Sequence, residues 1–234
     1  MSAAERVRWL VRGVGQTLIT LGVVVLLFCV YELEITSIYT RHEQRVLTTE
    51  LEHAWTMTPR TNPRPTTAPQ VVLPYVNGQG IARIYFPTLG KTVHYVVVEG
   101  VSHDDLKKGP GHYPGTARTG DVGNMVISGH RTTYLAPFNR IDELKPGAPI
   151  VLETATTWYT YSVRSTTIVK PNAIEVTYPV PYHPGQKPTE RLLTLTTCNP
   201  KYSARTRLIV LGVLTATLAK GPNVVPPALA GRVA

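Results

Sequence analysis

Leu193-Thr194-Leu195-Thr196-Thr197-Cys198, with Arg207 nine residues after the cysteine, is the stretch on which the reading of this chain turns. Its composition, rich in leucine and threonine, reads as a strand. The strand ends on a thiol. The loop NPKYSART separates Cys198 from a second β-rich run, RLIV, that opens with Arg207. An antiparallel pair joined this way returns the second strand beside the first, so both side chains can reach one end of a sheet. Arg205, two residues earlier, can do the same with a different loop shape.

A free thiol ionises near pH 8.5, so at neutral pH it is a modest nucleophile. Cysteine catalysis needs a group that forms and holds the thiolate, a proton donor for the leaving group and a charge that steadies the oxyanion. Histidine and arginine supply these. Of the seven histidines, His42 and His53 lie in a helical stretch near the N-terminus, His94 in an alternating strand, and His103 and His112 in turns. His183 lies in a long loop where it can touch a ligand. His130 differs, because it ends the strand NMVISGH, and strand ends present side chains at a rim. The bland alternative is a Cys198 buried as a small hydrophobe, since free cysteine is among the most buried residue types.

The remainder of the chain places this strand in context. The 234 residues suit one ordinary domain with appendages. Hydrophobic residues make up 43%, enough for a core, and twenty prolines and eighteen glycines against three phenylalanines favour a loop-rich β protein. The net charge of +9 suits an anionic wall or lipid surface. No basic run interleaved with aromatics and no zinc-finger or helix-turn-helix pattern points to nucleic acid. The two cysteines are Cys29 and Cys198. Cys29 lies inside an apolar N-terminal run, so the two do not pair, and Cys198 is an unpaired thiol.

Residues 1–12 carry Arg6, Arg8 and Arg12 and read as a cytoplasmic N-terminus, and 13–31 read as a transmembrane anchor. A cleaved signal peptide is the rival; its apolar core is shorter, and no small-x-small site follows closely. With arginines before the run and Glu32 and Glu34 after it, the rest of the chain faces outward. Residues 32–79 read as a helical stalk followed by a spacer rich in proline, residues 80–219 as the main domain, and 220–234 as a disordered tail. Within the domain, eight strand-like segments fall at 81–86, 93–99, 124–130, 149–153, 157–164, 166–170, 191–198 and 207–214. They predict a mainly β, closed or nearly closed eight-stranded barrel with short helical turns near 102–106 and 138–144. Residues 171–189 hold five prolines and form a long loop just before the cysteine strand.

TLTTC with arginine nine residues on, and SGHR ending a strand 68 residues before the cysteine, resemble the sortases. GPGHYPGT at 109–116, the turn at 120–124 and HRTTYLAPF at 130–138 add to the likeness, which covers roughly residues 80–219. The short spacing and SARTRLIV resemble the class E group of high-GC Gram-positive bacteria. The resemblance implies a sortase-type barrel and a cysteine transpeptidase outside the membrane, with no cofactor and no metal. Cys198 matches the nucleophile, His130 the general acid/base, and Arg207 the arginine that stabilises the oxyanion. Thr197 and Thr196 match positions against the bound signal, and the 171–189 loop, with Tyr182 and His183, matches a wall of the substrate groove. The implied reaction cleaves an LAXTG- or LPXTG-like C-terminal sorting signal between Thr and Gly and joins the protein to an amine of a peptidoglycan precursor. The implied partners are surface proteins bearing that signal, that amine acceptor and the lipid bilayer. A sortase-like hydrolase, a pilin-polymerising transpeptidase and a non-catalytic wall-binding module are the alternatives.

Overall fold

The computed structural model describes residues 2–31, 36–57, 75–90 and 93–230. Helix α1, Ala3–Val30, starts in a capping box in which the Ser2 hydroxyl accepts from the Glu5 amide. None of its residues is buried, and it is long and apolar enough to cross a bilayer. Helix α2 spans Thr36–Met57.

The domain is a closed barrel. Strands β1 (Gly80–Tyr85), β2 (His94–Glu99), β3 (Gly111–His112), β4 (Gly123–Ser128), β5 (Pro149–Glu153), β6 (Thr157–Val169), β7 (Arg191–Asn199) and β8 (Thr206–Ala219) run in spatial order β1-β2-β3-β4-β7-β8-β6-β5. β2 pairs with β3, and β4 with β7, in parallel; the other neighbours are antiparallel. The period-two pattern of the opening stretch decides which side chains point inward. Leu193 and Leu195 enter the core with Met125 and Ile127 of β4 and Leu208 and Val210 of β8. Burying each such side chain stabilises the fold by about 1.5–3 kcal/mol. Thr194, Thr196 and Cys198 therefore share the outer face of the barrel.

The strand count agrees with the sequence reading, but two details differ. The segments expected at 157–164 and 166–170 are one strand, β6, whose register shifts between Val163 and Ser165. The skipped residue, Arg164, points to solvent and binds Glu190 through both terminal nitrogens, at 2.9 and 2.6 Å. The eighth strand is instead β3, two residues long and without a β-branched side chain to signal it. Of the two helical turns, α3 (His103–Lys108) forms with a Ser102–Asp105 capping box, and the second is a short 3-10 turn at Ile141–Glu143.

Two appendages also differ from expectation. α2 packs on the barrel rather than standing off it as a stalk: Leu47 and Leu51 bury against Val96 and Val98. Only Val98 and Glu99 of β2 pair with β3, which leaves a free edge at Val96. Gln44 fills it, its amide donating to Val96 O and accepting from Val96 N–H. Most of the proline-rich stretch, residues 58–74, lies outside the described residues. The tail expected to be disordered from Lys220 docks instead: Lys220 binds Glu153 at 2.7 Å, and Leu229 buries against Tyr85, Val151 and Trp158. Residues 231–234 of that tail lie outside the described residues.

Candidate active site

The β7–β8 register sets Cys198 directly opposite Arg207, with Asn199 opposite Thr206 beyond it. The turn is closed by its own side chains: Asn199 Nδ2 donates to Thr206 Oγ1 (3.0 Å), whose hydroxyl donates to Asn199 O (2.8 Å). Directly opposed residues share a face of the sheet, so the thiol and the guanidinium stand on the same outer face. Cys198 is half-buried. Arg207 Nη1 donates to Ala204 O (3.0 Å) and Thr206 O (3.1 Å), which braces one nitrogen of its fork against the turn. Arg205 is exposed and precedes β8. The register therefore distinguishes two arginines that loop length alone left equivalent.

β4 delivers His130. The last paired residues of β4 and β7 are Ser128 and Thr196. Gly129 N–H then donates to Thr196 O (3.1 Å), and Thr197 Oγ1 donates to Gly129 O (2.6 Å). His130 and Cys198 are thus the next residues outward on neighbouring parallel strands. A side chain at 129 has no room, because a Cβ there meets the Phe138 ring at 2.7 Å. His130 Nε2 is buried with no hydrogen-bond partner, and the Tyr134 ring lies 4.9 Å from the imidazole, tilted 38°. Burial, and then the charge of His103, holds the His130 pKa below the ordinary histidine value. That shift favours the uncharged imidazole. Tyr134, Leu135 and Ala136 follow one another at φ of 53°, 61° and 44°, a left-handed run that non-glycine residues adopt at a cost.

Thr197 is 2% exposed and shares the inward parity of Leu193 and Leu195, so its side chain is not on the outer face where a signal would lie. What it does instead is hold Gly129. Thr196 is on the outer face but only 6% exposed. A small pocket of about 20 Å³, room for about one water, lies on that face over β6, β7 and β8, lined by Thr167, Thr194, Ile209 and Leu211 below and by Val176, Pro181 and Tyr182 from the long loop. Tyr182 thus lies in the pocket wall, whereas His183 is exposed and does not line it. The loop is fixed by a residue the sequence reading did not single out. Asn124 is 1% exposed; its Nδ2 donates to Val176 O (2.9 Å) and Tyr178 O (3.0 Å), and its Oδ1 accepts from Thr194 (2.7 Å). An amide in an otherwise apolar strand, NMVIS, was the available signal. Arg131 and Tyr134 were likewise quoted only as part of a motif. Among the described residues, no group of three or more His, Cys, Asp or Glu side chains is placed to hold a metal ion.

This geometry has counterparts among known proteins. The sortase domain family matches residues 84–215. Sortase SrtE1 of Streptomyces coelicolor is 34% identical over 212 residues, which covers 86% of this chain and 56% of that protein. Sortase SrtE2 of the same organism is 31% identical over 223 residues, 91% of this chain and 85% of the relative. The chain thus spans little more than half the length of SrtE1 and most of SrtE2. Among solved structures, sortase E from Streptomyces avermitilis superposes with a TM-score of 0.59 at 41% identity, covering 66% of this chain and 99% of that one.

Proposed function

The chain belongs to the sortase family, in its class E group, and from that premise we propose that it is a membrane-anchored cysteine transpeptidase with Cys198 as nucleophile. The observation that carries this reading is the register that sets Cys198 opposite Arg207, with His130 at the end of the strand beside it.

The neutral His130 takes the thiol proton of Cys198, giving a thiolate and an imidazolium. The thiolate attacks the carbonyl carbon of the threonine in a Thr–Gly bond, and the electron pair moves to the oxygen. Arg207, braced through one nitrogen, keeps further N–H donors for that oxyanion. As the C–N bond breaks, His130 gives its proton to the leaving glycine amine, and a thioester on Cys198 remains. An incoming amine attacks the thioester, loses a proton to His130, and the thiolate leaves. The peptide-bond energy is kept in the thioester, so no cofactor is consumed.

The outer face beside the long loop that carries Tyr182 receives the residues before the scissile bond, and LAXTG-like or LPXTG-like signals are the substrate class. The acceptor is an amine of a peptidoglycan precursor. α1 anchors the enzyme, with Arg6, Arg8 and Arg12 inside and the barrel outside. Tethering enzyme and donor to one membrane raises their effective concentration. The test is mass spectrometry of products from LAXTG and LPXTG peptides with and without an added amine. Amide product that depends on the amine supports transpeptidation; hydrolysis alone, unchanged by amine, points to a hydrolase; no cleavage of either peptide overturns the reading.

A further inference from the structure

We propose that Arg131 is the positioning residue that sets the spacing between His130 and Cys198, an inference that rests on the transpeptidase reading above. The β4–β7 ladder ends at the Gly129 amide, one residue short of the pair. Beyond it the two strands part, β4 into the turn that carries Tyr134 and β7 into the turn before Arg207. Arg131 bridges the gap. Its Nη1 donates to the carbonyl of Cys198 itself (3.4 Å) and to Asn199 Oδ1 (3.3 Å). Nε donates to Asn139 O (3.3 Å), and Nη2 pairs with Asp142 Oδ1 (3.1 Å). Asn139 returns the contact, its Nδ2 donating to Arg131 O at 2.8 Å.

The side chain is 5% exposed. Burying a guanidinium is costly unless its donors are met, and replacing such a group by apolar packing is often neutral for stability. These bonds sit at the long end of the hydrogen-bond range, so no single one is strong. Their value is geometric: one planar fork ties the residue after His130 to the backbone of the nucleophile and to the turn at 139–142. Lysine keeps the charge but presents a single nitrogen, which does not reach acceptors on three sides. Misplacing a reacting pair by about 1 Å can lower turnover about 10²-fold.

The test compares kcat, KM and melting midpoint for the full chain and for Arg131→Lys, on a sorting-signal peptide with an amine acceptor. Arg131→Lys is expected to fold, to keep KM within about threefold and to lose about 10²-fold in kcat. A kcat within about threefold of the unaltered chain, or a loss carried by KM alone, overturns the assignment. If Arg131→Lys does not fold, Asp142→Ala decides, because Asp142 is half-exposed and its truncation removes only one partner of the fork. A lowered kcat at unchanged KM then supports the proposal and an unchanged kcat overturns it. Cys198→Ala and His130→Ala run in the same assay separate the two readings. Turnover in either defeats the transpeptidase reading; two dead variants beside an unimpaired Arg131→Lys defeat the Arg131 assignment alone.

Discussion

Thr197 donates its hydroxyl to the carbonyl of Gly129 at 2.6 Å, so the residue before the nucleophile holds the residue before the histidine. The bond is buried and continues the β4–β7 pairing by a side chain where the backbone ladder stops. Thr197→Val keeps the shape and removes the donor, leaving a buried carbonyl unmet. It is expected to lower stability by about 1–3 kcal/mol and to lower kcat with little change in KM. Denaturant unfolding and steady-state kinetics on the one variant check both parts.

The half-buried His130, its Nε2 unpartnered, makes stability depend on pH. Its folded pKa lies below the ordinary value of 6.5, so between the two values the unfolded chain binds more protons than the folded one. Stability therefore rises with pH across that window and falls as pH drops through it. His130→Gln is expected to remove this slope. Unfolding free energies between about pH 5 and 8 for both chains measure it, and parallel curves would contradict the burial of an uncharged imidazole.

Arg207 and Arg205 separate in the register, and they should separate in activity. Arg207→Gln is expected to lower kcat about 10²–10³-fold, the scale of a lost oxyanion donor. Arg205→Gln, an exposed charge, is expected to stay within about threefold. Equal losses would leave the oxyanion role unassigned.

Asn124 ties the long loop to the barrel through three hydrogen bonds. Asn124→Ala frees Val176, Tyr178 and the Tyr182 wall without touching Cys198. A wall that must be ordered on binding raises KM, by about tenfold for about 1.4 kcal/mol, while alkylation of Cys198 by iodoacetamide proceeds at the unaltered rate. Loss of thiol reactivity in this variant would place Asn124 in the reacting centre instead.

Much of this site was legible in the residues. A strand through LTLTTC put Cys198 at a strand end, and a strand ending in SGHR put His130 at a rim, because strand patterning needs only local information. The choice between Arg207 and Arg205 was not legible, since an eight-residue loop can close with either opposite Cys198; the Asn199–Thr206 contacts decide it. Thr197 was read as facing the substrate on family resemblance, although its parity with Leu193 and Leu195 already pointed inward. Arg131 and Asn124 escaped because the partners that give them their place, Cys198 and Asn199 for the one and Val176, Tyr178 and Thr194 for the other, lie 67–68 and 52–70 residues away. The docked tail at Leu229 escaped for the same reason: the proline-rich composition that suggests disorder says nothing of a pocket formed by Tyr85, Val151 and Trp158.

The most direct test of the account is intact-protein mass spectrometry of the enzyme quenched in acid after mixing with an LAXTG peptide. The account predicts an adduct with the mass of the peptide through its threonine, mapped to Cys198, absent in Cys198→Ala and cleared by an added amine. Cleavage of the peptide at an undiminished rate by Cys198→Ala would contradict it.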